Sequence, residues 1–141
     1  MGLFERMLEL SNQGFACAQI MMQLVLDTEE KDDPDLIRTV GALNDGLRGT
    51  GQVCGALTGG MCVLSYYAGQ GTAEEMADPD YDNLAQELYD WFKQLIAERY
   101  AGISCPDILE GDQANKLARC PGLVEETFGK AVQLLEEHDL L

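Results

Sequence analysis

The chain has 141 residues, 46% of them hydrophobic and 24% charged, enough for one domain, 1–141, with a single modest core. Acidic residues outnumber basic ones 25 to 9, which leaves a formal net charge of −16. A surface this acidic repels phosphate backbones and anionic lipid, so neither nucleic acid nor a membrane is expected as a partner.

In chain order the pattern is helical throughout. Residues 3–12, "LFERMLELSN", read as a short helix closed by Gly14. This start carries acids and lacks a basic segment followed by an apolar one, so it is no signal peptide. No later run reaches the roughly 20 apolar residues of a membrane span. A cytoplasmic setting is therefore expected, where thiols stay reduced. "FACAQIMMQLVLD" follows as an apolar helix with Cys17, Met21, Leu24 and Val25 on one face. Pro34 suits the first turn of a third helix, which "DLIRTVGALNDGL" continues. After the glycine loop "GLRGTGQ", residues 52–68 form another helical stretch. "LAQELYDWFKQLIAERYAG" is the clearest amphipathic helix, with Leu84, Leu88, Trp91, Phe92, Leu95 and Ile96 on its buried side. "SCPDILEGD" reads as a capped single turn. A last helix opens at Pro121 and buries Leu123, Val124, Phe128, Val132 and Leu135. The expected fold is all-α, a compact single-domain bundle of about five to six helices.

Five cysteines in a reducing compartment ask for a reason other than structural disulfides. Cys54 follows the glycine loop at a helix start, Cys105 lies in a first turn after Ser104, and Cys120 precedes Pro121 at an expected N-cap. A helix N-terminus offers free N–H groups and partial positive charge, which favours thiolate over thiol. The plainer reading is that these are small buried apolar residues, as free cysteines often are.

The glycines Gly51, Gly55 and Gly59 recur every four residues, with Ala56 and Gly60 beside them. On a helix they make a bare face, which costs about 1 kcal/mol per glycine relative to alanine and needs a compensating gain. Either a second helix packs closely there or a cofactor lies on Gly55 and Gly59. The stretch lacks the Gly-Lys-Ser/Thr of a phosphate loop. There is no C-x-x-C, the single His138 lies near the C-terminus, and the acidic loops lack calcium-ligand spacing.

"NQGFACAQIMM", "GLRGTGQVCGALTGG", "SCPDILEGD" and "ARCPGLVEETFGKAVQLLEE" together resemble the redox-active proteins named for a C–GCAxxG–C–C pattern, in order and spacing over nearly the whole chain. The resemblance implies a small helical redox protein and carries the defining cysteines onto Cys17, Cys54, Cys105 and Cys120, and the glycines onto Gly55 and Gly59. Cys62 has no counterpart. The leading expectation is reversible dithiol–disulfide chemistry by these four residues, a thiol–disulfide oxidoreductase working with a protein redox partner. Cys54 is expected at the centre of the site. The rival is a metal or iron–sulfur module in which the same four thiolates are the ligands. A third is a helical adaptor without redox activity, and a homodimer is compatible with all three.

Overall fold

The computed structural model describes residues 1–141. It is all-α, as the periodicity predicts: about 70% of the chain is helical, in seven helices. These are α1 (Leu3–Asn12), α2 (Cys17–Glu29), α3 (Pro34–Val40), α4 (Gly55–Ala68), α5 (Tyr81–Ala97), α6 (Cys105–Leu109) and α7 (Lys116–Glu137). No helix is long and apolar enough to cross a membrane.

Helix α4 is the centre, packed on α2, α5 and α7. It can be central because it is apolar on nearly every face: Ala56, Leu57, Val63, Leu64 and Ala68 are all buried, with three glycines between them. Helix α2 is similarly buried all round, from Ala18 to Leu26. The outer helices are amphipathic. Helix α5 buries Leu84, Leu88, Phe92 and Ile96, a clean i, i+4 stripe. Trp91 and Leu95 flank that stripe and stay half-exposed, so the buried face is narrower than expected. In α7 the buried residues are Leu123, Val124, Thr127, Ala131, Leu134 and Leu135, while Phe128 and Val132 lie at its edge.

Helix α4 starts three residues later than the sequence reading has it, and α5 starts three residues earlier and ends five earlier; two further differences bear on the site. Helix α7 begins at Lys116, so Pro121 lies inside it and not at its first position. Asp112 supplies the start instead, its Oδ1 accepting from Ala114 N–H at 2.9 Å and opening a short 3₁₀ turn, Gln113–Asn115. Pro121 costs the helix one backbone hydrogen bond and is tolerated early in its course.

The second difference lies after α3. The helix stops at Val40, a 3₁₀ turn (Gly41–Leu43) follows, and the backbone then turns left-handed. Asp45, Gly46, Leu47 and Arg48 take φ of 56°, 71°, 67° and 52°. Left-handed residues other than glycine cost about 1–2 kcal/mol each, so three within four positions require support from outside. Gly46 is required twice over. Its φ favours glycine, and a Cβ there would stand 2.9 Å from Gln52 N and 3.1 Å from the Cys105 sulfur.

Candidate functional site: a cavity lined by four thiols

The left-handed turn brings polar groups to the N-terminus of α2. Ala16 has no side chain with which to cap that helix. Asn44, only 2% exposed, does so from across the chain: its Oδ1 accepts from Ala18 N–H at 3.0 Å and Gln19 N–H at 3.4 Å. Its Nδ2 donates to Gln19 Oε1 at 3.0 Å, and Gln19 Nε2 donates to the Ile37 carbonyl at 3.1 Å. The Cys17 thiol, at the first position of α2, makes a longer contact of 3.9 Å to the same Asn44 oxygen.

Cys54 and Cys105 are brought together by one antiparallel bridge between Val53 and Ser104. Cys54 N–H donates to the Ile103 carbonyl at 2.8 Å, and Cys105 N–H donates to the Gln52 carbonyl at 3.3 Å. Each cysteine follows the bridged residue on its own side, so both side chains leave the bridge on the same face. Cys54 then caps α4, and Cys105 opens α6 behind Ser104, whose Oγ accepts from Asp107 N–H at 3.2 Å. Cys120 reaches the same region from inside α7, not from an N-cap as expected, because that helix starts four residues earlier.

All four cysteines line one cavity of about 520 Å³, and Cys62 does not. Cys62 lies on α4 against the core. Gly55 lines the cavity and touches Cys17: a Cβ at Gly55 would collide with the Cys17 sulfur and stand 3.1 Å from the Leu43 carbonyl. Gly59 faces α2 away from the cavity, where a Cβ would meet Met21 Sδ at 2.6 Å and Ala18 Cα at 3.0 Å. The bare face is therefore covered by α2 at Gly59, and a cofactor has no room there. At Gly55 it is occupied by a thiol. Gly51 lies in the loop before α4 and is not part of that face.

The electrostatics depart from the expectation of a helix-stabilised thiolate. Burial pushes the Cys54 thiol up to about 12, against the pull of the Ala56 N–H, and the other three thiols add to the rise. Burial also raises Cys120, to about 11, followed by repulsion from Cys17 and Cys105. Cys17 and Cys105 are raised too, by burial first. Backbone N–H groups of Asp45 and Ala18 at Cys17, and of Gly55 at Cys105, pull against that rise. So does Lys116, the one cation lining the cavity, although its Nζ is tied to Asp45 Oδ1 at 2.8 Å. The helix-terminus effect is present, and desolvation outweighs it. All four thiols are thus raised above their ordinary value, which favours the neutral form.

All five cysteines are free, and no three Cys, His, Asp or Glu side chains gather closely enough to hold a metal ion. The thiols share a cavity without surrounding a common point, so the geometry does not fit a four-thiolate metal or cluster site.

Residues 15–134 match the family model described as "Putative redox-active protein (C_GCAxxG_C_C)". The chain belongs to this family. No curated protein and no solved structure matches it significantly. Where the family pattern has Gly-Cys-Ala, this member reads Cys54-Gly55-Ala56, which puts the thiol at the cap of α4 and the glycine against Cys17.

Asn44, Asp45 and Lys116 belong to the site although their residue types announce no thiol chemistry. Asn44-Asp45-Gly46 is a turn signal, but the apolar residues around it make it read as the end of a helix.

Proposed function

We propose that this protein cycles between a dithiol and a disulfide within the four-cysteine cavity. The observation that carries the reading is that the four cysteines of the family pattern, spread from position 17 to 120, line one cavity while the fifth does not. Cys105 and Cys17 are the groups suited to attack. Their N–H donors and Lys116 pull against the rise that burial imposes, whereas Cys54 has the Ala56 N–H alone against burial and is pushed up to about 12.

The step begins with loss of the proton from the attacking thiol. Its sulfur bonds to one sulfur of a partner protein's disulfide, the partner's S–S bond breaks, and the second partner sulfur leaves as a thiolate that takes up a proton. A neighbouring cavity cysteine then attacks the mixed disulfide and releases the reduced partner. The chain loses two electrons and the partner gains them; the reverse sequence regenerates the dithiol.

Thiol titration before and after dithiothreitol, with mass spectrometry, tests the reading. A reversible change of two thiols confined to Cys17, Cys54, Cys105 and Cys120 is expected. Brown, anaerobically purified protein containing stoichiometric iron would overturn it in favour of a cluster. Thiol counts that never change would favour the adaptor.

A further inference from the structure

When the exchange runs in reverse, a partner protein's dithiol reduces the cavity disulfide, and the dithiol so formed needs an electron acceptor to complete the cycle. The cavity in front of the thiols has largely apolar walls. Phe4 and Leu8 of α1, Phe15, Ile20 of α2, and Leu117 and Val124 of α7 line it. Phe4 is 47% exposed, Leu8 45% and Leu117 87%, so three of the chain's large exposed apolar side chains stand around this one opening. The only charged residues lining it, Asp45 and Lys116, neutralise each other. A cavity of this size and lining suits an uncharged organic ligand.

Helix α1 builds one wall and lies outside the family match, which starts at residue 15. It is fixed in place by buried Met7 and Leu10 and by the Arg6 fork on Asp27, at 2.7 and 3.0 Å. Phe4 and Leu8 are left turned to the thiols' side. The part of the molecule that bears the family pattern supplies the thiols; α1 supplies apolar surface opposite them.

We propose that this cavity binds an uncharged quinone with an apolar tail, and that the quinone is the second redox partner of the dithiol. The proposal rests on the dithiol–disulfide reading. Two neutral thiols carry two protons as well as two electrons. In the reaction two Cys–SH and one quinone give one Cys–S–S–Cys and one hydroquinone. The S–S bond forms, both S–H bonds break, and each quinone oxygen receives a proton, so no charge is left in the apolar cavity. Lys116 is the donor available to a quinone carbonyl on approach.

Decylubiquinone is a suitable probe, because its fully substituted ring has no position for thiol addition. Calorimetry on a variant with serine at positions 17, 54, 105 and 120 reads binding without chemistry. Saturable one-to-one binding is expected, weakened about tenfold or more by Leu8→Glu or Leu117→Glu, each the loss of one leucine's apolar contact with the bound probe. Both substitutions are at exposed positions and should leave the melting curve unchanged. With native, reduced protein, one quinone should be reduced for every two thiols lost. Absence of saturable binding would overturn the quinone proposal, as would binding without thiol loss. If dithiothreitol still restored two thiols after oxidation by a disulfide reagent, the dithiol reading would stand and only the ligand would be wrong. Loss of that cycle as well would remove both.

Discussion

At its first turn, α4 offers Gly55 to the Cys17 sulfur; one turn later it offers Gly59 and Gly60 to Met21, Ala18, Thr127 and Leu88. The two glycine patches use the same lack of a side chain to different ends. At the second, neighbouring helices close on the backbone and the space is filled. At the first, a reactive group comes up to the backbone and open cavity remains beside it. Removing the thiol at the first turn should therefore alter redox chemistry with little loss of stability, and changes in the middle of α4 should do the reverse.

The sharpest way to break this contrast is Cys17→Ser. It should abolish the reversible two-thiol change, because Cys17 is one of the two thiols suited to attack and lies close enough to the other three to raise each of them. The urea midpoint should move little. Cys62→Ala should leave thiol cycling intact, and equal losses from both variants would contradict the assignment. Phe92→Ala, in the packed half, should cost about 3–5 kcal/mol, read from urea unfolding, since Phe92 is fully buried. The residual folded protein should still cycle its thiols.

Gly59→Ala sets overpacking of about 1–3 kcal/mol against a gain in helix propensity of about 1 kcal/mol. A net loss is expected, because the colliding atoms include the backbone of α2. Gly55→Ala should also lower stability, because its Cβ would meet the Cys17 sulfur and the Leu43 carbonyl, and unlike Gly59→Ala it should change the rate of Cys17 alkylation.

A fourth prediction concerns pH. The native chain holds the Cys54 proton up to about 12 and the Cys120 proton up to about 11, whereas in the unfolded chain these thiols titrate near 9.0. The folded state thus binds more protons above that value, and stability is lost as pH rises. Urea midpoints should hold up to about pH 9 and fall between 9 and 12; serine at both positions should flatten the fall. The smallest effect is expected at Thr127, whose Oγ1 is buried without a hydrogen-bond partner. Thr127→Val should be neutral or stabilise by up to about 1 kcal/mol by calorimetry, as it removes an unsatisfied hydroxyl without changing shape.

Much of this was legible in the chain. Apolar spacing located α1 and α2 to within about two residues, because their caps and breakers, such as Gly14 and Pro34, act locally; α5 was found by its stripe, with its start three residues late. The cysteine pattern was legible because it is a matter of residue type and order. The start of α7 was misplaced, because a proline at a first helical position and one five residues inside look alike until the upstream cap at Asp112 is seen. The segment 41–48 was misplaced for a related reason. "GALNDGL" carries helical spacing, and its left-handed turn is held by distant partners, Lys116 on Asp45 and the α2 terminus on Asn44.

Local chemistry thus settled which helices form, and the residue order settled which thiols are candidates. The tertiary fold alone decided that Cys17, Cys54, Cys105 and Cys120 line one cavity, since contacts across up to 100 residues of chain leave no local signature. It also decided their protonation. A helix terminus read in isolation favours the thiolate, but desolvation depends on everything packed around the sulfur, and here it dominates.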